Sequence, residues 1–263
     1  MFTVQPFHFL IVCPAVFIAG FIDAIAGGGG LITLPAYLFI GLPSHNAIGT
    51  NKLSSAMGTV VSTTEFALDG FINWKLSSFC ILTSLSGSFI GSNLALLLPD
   101  RIFSIIMIVL LPFIALYVLK NKTFQVSDKP FAPAKTLVIC LVCAFFVGMY
   151  DGFYGPGTGT FMIISLTALA RLTLNEAAGT TKVINLTANL TALAVFLYND
   201  KVLFSLGLVA GLFSIAGHFI GAKVFVRNGT KIARPVVIAV LTILFAKIII
   251  EKLGKTFLFT TDL

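Results

Sequence analysis

The sequence predicts an all-α polytopic membrane protein built from two homologous helical repeats. The first observation behind this prediction is composition: 10% of the 263 residues are charged and 57% are hydrophobic. A soluble domain has about a quarter charged residues, so this chain has too few charges to cover a surface that faces water. A soluble enzyme and a disordered chain are therefore excluded. The net charge of +7 does not indicate nucleic acid, because the cations are scattered between long uncharged runs.

The second observation is a series of uncharged runs that suit membrane helices or half-helices. A spanning helix needs about 20 apolar residues, which leaves room for roughly eight to ten such elements in this chain. The runs cover residues 7–22, 24–44, 53–64, 76–99, 102–119, 136–150, 152–170, 183–199, 202–222 and 235–246. The N-terminus has no basic stretch before the first run, so we expect that run to remain as a helix.

The third observation is that the chain matches itself. At an offset of 128 the matching residues are Gly20, Asp23, Gly27 and Gly29 with Gly148, Asp151, Gly155 and Gly157. At an offset of 130 they are Gly49, Thr50 and Lys52 with Gly179, Thr180 and Lys182, followed by 87–91 with 217–221. A repeat of this length predicts a first repeat at 1–120, a cytoplasmic linker at 121–135 and a second repeat at 136–263.

Each copy has five elements, and the second element decides the topology. The short second elements, 31–41 and 158–170, either cross the membrane or re-enter it. Crossing gives five spans per copy and inverted copies; re-entry gives four spans and parallel copies. With five spans, ten of the 17 cations fall on the cytoplasmic side and five outside, as the positive-inside rule requires. We therefore expect inverted repeats, a common design of secondary transporters. The glycine spacing in the fourth elements indicates close helix packing.

Two glycine-rich segments interrupt the apolar runs, GGGG at 27–30 and GPGTG at 155–159. Irregular backbone at membrane depth is tolerated only where it is buried in protein or lines a watery cavity. Each segment is either a tight loop or part of a substrate site, in which helix N-termini face an anion. The twofold occurrence favours the site, and its candidate residues here are Gly29, Gly30, Gly157 and Thr158.

Two lysines lie at equivalent depths in the third elements. A cation buried in the membrane is costly, so Lys52 and Lys182 are candidate anion ligands, although a lysine at this depth can also extend to the interface. Hydroxyl and amide groups that suit an oxyanion accompany them, on Thr50, Asn51, Thr180, Thr181 and Asn185. Ser55, Thr59 and Asn189 continue this polar stripe at helical spacing.

Two aspartates precede the glycine-rich segments. Asp23 and Asp151 can neutralise the lysines, carry a coupled proton or cap the neighbouring backbone. The three histidines are not grouped with carboxylates or cysteines in the sequence, so we expect no metal site and no cofactor. The spacing Gly87-Ser-Phe-Ile-Gly91 does not fit a nucleophile elbow, and an enzyme is not expected.

The paired motifs resemble the sulfite exporter TauE/SafE family. The residues that carry the resemblance are GFIDAIAGGGGLITLPAYLFIGLPSHNAIGTNKLSS in the first half and GMYDGFYGPGTGTFMIISLTALARLTLNEAAGTTKVINLTANL in the second. These are small bacterial inner-membrane proteins with two related halves, associated with sulfite and organosulfur anions. The resemblance implies a multi-pass secondary transporter that exports sulfite, a sulfonate or a related anion.

Several points stay open at this stage. Proton coupling is a further expectation, and a homodimer is left open. A passive anion channel and a non-transporting scaffold are the alternatives. The second half has Pro156 and Thr158 where the first has Gly28 and Gly30, so the two half-sites are expected to differ.

Overall fold

The computed structural model describes residues 3–103, 105–106 and 131–229, and no strand occurs among them. Eight helices have both ends in this part: α1 Pro6–Ala26, α2 Gly30–Phe39, α3 Ser44–Leu68, α4 Trp74–Leu97, α5 Pro133–Phe153, α6 Thr158–Ala168, α7 Leu174–Tyr198 and α8 Phe204–Asn228. Residues 100–103 and 105–106 are also helical. The predicted all-α fold is confirmed. The predicted fifth elements, 102–119 and 235–246, lie almost wholly outside the described residues, as does most of the linker.

Five of these helices, α1, α4, α5, α7 and α8, are long and apolar enough to cross a membrane. Helix α3 is as long as α7, with 25 residues, but carries more polar side chains. Helices α2 and α6 have 10 and 11 residues, or about 15 Å each, which is half of the hydrocarbon core. The protein is therefore a multi-pass membrane protein with two half-length helices.

Helices α1, α3 and α8 run in the same direction. The contacts that show this are Phe17–Gly217 and Phe21–Gly221 between α1 and α8, and Thr50–Leu203 and Gly58–His218 between α3 and the α8 region. In every pair of helices the residue numbers increase together. The first and third elements of the first half are thus parallel, and each packs on the fourth element of the second half.

Helices α4, α5 and α7 run together in the opposite direction. The contacts are Ser84–Ile184 and Ser88–Ala188 between α4 and α7, and Gly87–Phe145 and Gly91–Met149 between α4 and α5. Helices α3 and α7 cross antiparallel, since Lys52 bonds to Asn189 while Thr63 bonds to the carbonyl of Lys182. Corresponding helices of the two halves therefore have opposite directions, the arrangement expected of inverted copies, and the halves interlock.

Helix α2 turns back along α1. Tyr37 near its end packs in one cluster with Val12 and Val16, whereas Gly29 before its start contacts Asp23. This order of directions, with α2 reversed between the parallel helices α1 and α3, is the one that the five-element alternative with inverted copies requires. The chain turns at the glycine break, returns through α2 and starts α3 in the direction of α1.

The close packing predicted from the glycine spacing in the fourth elements is confirmed. A Cβ on Gly217 or Gly221 would meet the backbone carbonyl of Phe17 or Phe21 on α1. Gly87 and Gly91 make equivalent contacts with α5. Small residues at these positions let the helix backbones approach, which is the main source of helix association where lipid is as apolar as the side chains.

We expect Gly217→Val to destabilise the protein by about 1–3 kcal/mol, because the added methyl groups must separate α1 from α8. Thermal unfolding in detergent measures the effect as a lower Tm. The matched control is Leu212→Val on the same helix, whose side chain is 62% exposed. An equal Tm for the two variants would contradict the packing.

Candidate functional site

The two glycine breaks face each other in the middle of the bundle. Gly27 ends α1 with φ 74°, and Gly157 precedes α6 with φ 79°. Residues that carry a side chain rarely adopt these backbone angles. The carbonyl of Gly27 accepts a hydrogen bond from the Thr160 amide at 3.2 Å. Gly30, the first residue of α2, lies so close to Pro156 that an added Cβ would be 3.1 Å from its Cα. The starts of α2 and α6 are thus brought together.

Lys52 forms a buried ion pair with Asp151. Its ammonium is 2.8 Å from the Asp151 carboxylate and donates a second hydrogen bond to the Asn189 side chain at 3.1 Å. The lysine and aspartate side chains are only 2% and 7% exposed. The alternative in which this lysine extends to the interface is therefore wrong.

Lys182 forms the reciprocal pair with Asp23. Its ammonium is 3.7 Å from the Asp23 carboxylate and donates to the main-chain carbonyl of the same residue. The other Asp23 oxygen accepts from the amide of Gly29 at 3.1 Å. Asp23 thus neutralises a lysine and also caps the glycine-rich backbone, two roles that we had set out as alternatives.

Both pairs join one half of the chain to the other. Lys52 and Lys182 each lie eight positions after the first residue of their helix, Ser44 and Leu174. A capping box starts α7: the Thr173 hydroxyl accepts from the Glu176 amide, while the Glu176 carboxylate accepts from the Thr173 amide. The equivalent depth of the two lysines follows from matching helix starts.

A polar cleft opens between the breaks and the ion pairs. Of the predicted residues, those that line it are Asp23, Gly29, Gly30, Asn51, Lys52, Asp151, Thr158 and Asn185. Ser55 and Asn189 of the polar stripe line it as well. The side-chain oxygen of Asn185 has no hydrogen-bond partner among the described residues.

The other predicted residues lie outside the cleft lining. The ammonium of Lys182 is turned to Asp23 and lies 5.8 Å from the centre of the Phe66 ring. The Thr50 hydroxyl accepts from the Leu203 amide at 3.0 Å. The hydroxyls of Thr180 and Thr181 are buried without a partner in the described part of the chain. Gly157 provides the turn before α6.

Two of the three histidines contact a carboxylate that is distant in the sequence. His218 Nε2 is 3.3 Å from an Asp23 carboxylate oxygen, and His218 lines the cleft together with Ser214. His45 Nδ1 is 2.8 Å from Asp100. A signal for His218 existed in the repeat, where it replaces Ser88 of the first half. No set of three or more metal-binding side chains occurs among the described residues.

The formal charges of the cleft cancel. Lys52 and Lys182 balance Asp23 and Asp151 when His218 is neutral. A multi-pass helical bundle with a charge-paired cleft between facing helix breaks has the architecture of a membrane transport protein.

Comparison with known proteins supports this class and shows the family. The model of the family "Sulfite exporter TauE/SafE" matches residues 12–248. A probable membrane transporter protein of Sinorhizobium sp is 37% identical over 86% of both chains. One from Haemophilus influenzae is 36% identical over 90% of this chain and 92% of its own. Escherichia coli K12 YfcA, also named a probable membrane transporter, is 30% identical over 98% and 96%. No solved structure matches the chain significantly.

The chain belongs to the sulfite exporter TauE/SafE family. It is a membrane transporter, not an enzyme, and the resemblance seen in the glycine-rich and GTNK motifs is confirmed.

The Lys52–Asp151 pair gives a testable stability prediction. Lys52→Met or Asp151→Leu alone leaves one buried charge unpaired and is expected to cost about 3–5 kcal/mol, whereas the double variant removes both charges and recovers most of the loss. Unfolding of the purified protein in detergent with increasing SDS measures the coupling as a double-mutant cycle. Additive losses in the double variant would argue against a direct pair.

Proposed function

We propose that the protein is a secondary transporter that exports a small oxyanion, sulfite, a sulfonate or a related organosulfur anion, across the bacterial inner membrane. The observation that carries the proposal is the Lys52 ammonium, which lies in a polar cleft deep in the bundle. The name of the family, sulfite exporter, supports the choice of anion. A homodimer stays an untested prediction.

The cleft offers the groups that an oxyanion requires. In the proposed bound state the anion takes the place of the Asp151 carboxylate on Lys52, and Lys182 adds positive charge from the opposite half. The amide group of Asn51 and the N-terminal backbone of α2 and α6 supply hydrogen bonds. The Thr158 hydroxyl adds another when it turns from the Gly155 carbonyl, to which it donates at 2.6 Å in the structure. Backbone N–H groups at helix N-termini suit anions because their donors have no partner within the helix.

Charge balance supports proton coupling. The four charged groups already sum to zero, so an entering anion leaves one carboxylate without its cation. An unpaired charge at this depth is costly, and a proton taken up from the cleft removes that cost. Asp23 and Asp151 are the carboxylates that we predicted for this role. Transport of the anion with a proton then moves less net charge through the membrane.

We expect Lys52→Ala and Lys182→Ala each to abolish anion flux while the protein still reaches the membrane. The Lys52→Ala variant loses the ammonium that contacts the anion. The Lys182→Ala variant leaves the negative charge of Asp23 without its cation, close to the anion. Sulfite flux in proteoliposomes measures the effect. Lys75→Ala is the control, because Lys75 is exposed at the start of α4. Undiminished flux in both cleft variants would overturn the site.

The alternatives predict different outcomes in the same proteoliposomes. An imposed pH gradient is expected to drive sulfite against its own concentration gradient if the protein is a coupled transporter. A passive channel would only equalise concentrations, and a non-transporting scaffold would give no flux. A thermal-shift screen of the purified protein with small oxyanions and sulfonates identifies the preferred substrate beforehand.

A further inference from the structure

We propose that His218 carries the co-transported proton, so that the two half-sites have separate tasks. The half-site formed by Lys52, Asp151 and Asn189 binds the anion. The half-site formed by Asp23, Lys182 and His218 binds the proton. This inference rests on the proposed function and deepens it. It assigns the coupled proton to His218 instead of to the carboxylate of Asp23 or Asp151, and His218 corresponds to a serine in the other repeat.

The bundle leaves space for the imidazole ring of His218 between α1, α3 and α8. Two glycines on different helices border His218. A Cβ on Gly20 of α1 would lie 2.7 Å from its Nδ1, and a Cβ on Gly58 of α3 would lie 2.8 Å from its Cε1. Real side chains do not approach this closely. The absence of a side chain at both positions therefore allows His218 to reach the cleft from α8.

Hydrogen-bond partners exist for this ring both with and without the extra proton. Nε2 is 3.3 Å from the Asp23 carboxylate, which accepts, so Nε2 carries hydrogen in both states. Nδ1 is 3.0 Å from the carbonyl oxygen of Ser214 and 3.3 Å from its hydroxyl. A protonated Nδ1 donates to the carbonyl, and a neutral Nδ1 accepts from the hydroxyl. One residue, Ser214, thus satisfies either form.

The equivalent positions in the other half have a structural role instead. At the offset of 130, Ser214 corresponds to Ser84 and His218 to Ser88. Ser84 and Ser88 are fully buried, and they donate to the carbonyls of Ile184 and Ala188 on α7 at 3.2 and 2.8 Å. Neither serine lines the cleft. The cleft therefore has a titratable group from one fourth element and none from the other.

The charges that face His218 are few. Asp23 on α1 contacts its ring, and Lys182 on α7 contacts Asp23. Lys52 on α3 and Asp151 on α5 form part of the same cleft lining. Because these four charges cancel, a monovalent anion adds one negative charge and a proton on Nδ1 restores neutrality. The imidazole gains this proton from water when the anion enters and returns it to water when the anion leaves.

The test measures proton uptake on anion binding. Purified protein in weakly buffered detergent solution is mixed with sodium ethanesulfonate, whose charge does not change between about pH 5 and 9, and with sulfite corrected for its own titration. A pH indicator dye reports protons taken up, and calorimetry reports anion bound. We expect close to one proton per anion in the wild type and a fall of at least fivefold in His218→Gln, in which the amide still donates to Asp23.

The matched control is Ser88→Ala, the equivalent position of the other half, which is expected to keep the wild-type proton-to-anion ratio. His218→Asn is measured in parallel in case the glutamine variant fails to fold, and thermal unfolding verifies each variant. Anion binding by His218→Gln or His218→Asn with the full proton uptake would overturn the inference and leave the proposed function standing. A wild type that binds neither anion would overturn the proposed function and the inference with it.

Discussion

The constraint on which the structure depends is the burial of two lysines at membrane depth, each of which needs an aspartate beside it. Each ion alone would be prohibitively costly there, and even a paired ion needs further hydrogen bonds to offset its lost hydration. The bundle meets this requirement by pairing Lys52 with Asp151 and Lys182 with Asp23 across the two halves. Neither half can neutralise its own lysine, so the stable unit is the interlocked pair of halves.

Several features of the fold follow from this reciprocal pairing. For the aspartate of one half to meet the lysine of the other, α1 must lie near α7 and α5 near α3. The close packing at Gly217 holds α1 on α8, which also packs on α3, and the close packing at Gly91 holds α5 on α4, which also packs on α7. The chain must also turn before α1 and α5 leave the bundle, which places the glycine breaks beside the aspartates. The Asp23 carboxylate has both functions, since it pairs with the Lys182 ammonium and accepts a hydrogen bond from the Gly29 amide.

Much of this could be predicted from the sequence, because composition, uncharged runs and internal repeats are local or nearly local signals. They gave the all-α fold, the breaks and the depth of the two lysines. Which aspartate pairs with which lysine could not be predicted, since the partners are 99 and 159 residues apart. Whether the short second element crosses or re-enters could not be decided from the sequence, because hydropathy reports apolar length and not direction. The role of Thr50 was missed because a hydroxyl beside a lysine looks the same whether it faces a ligand or a neighbouring helix.

His218 was overlooked for a reason that also makes it informative. Contacts that both halves share, such as the two ion pairs, are what a repeated scaffold needs in order to fold, and symmetry alone explains them. A difference between equivalent positions has no such explanation and needs compensation nearby. Here the large imidazole faces Gly58, whereas the small Ser88 contacts Ala188 at the equivalent place, so ring and space are matched within the half that contains the ring. The proposed co-transport of an anion with a proton requires two unlike binding groups, which two unequal half-sites provide and two identical ones do not.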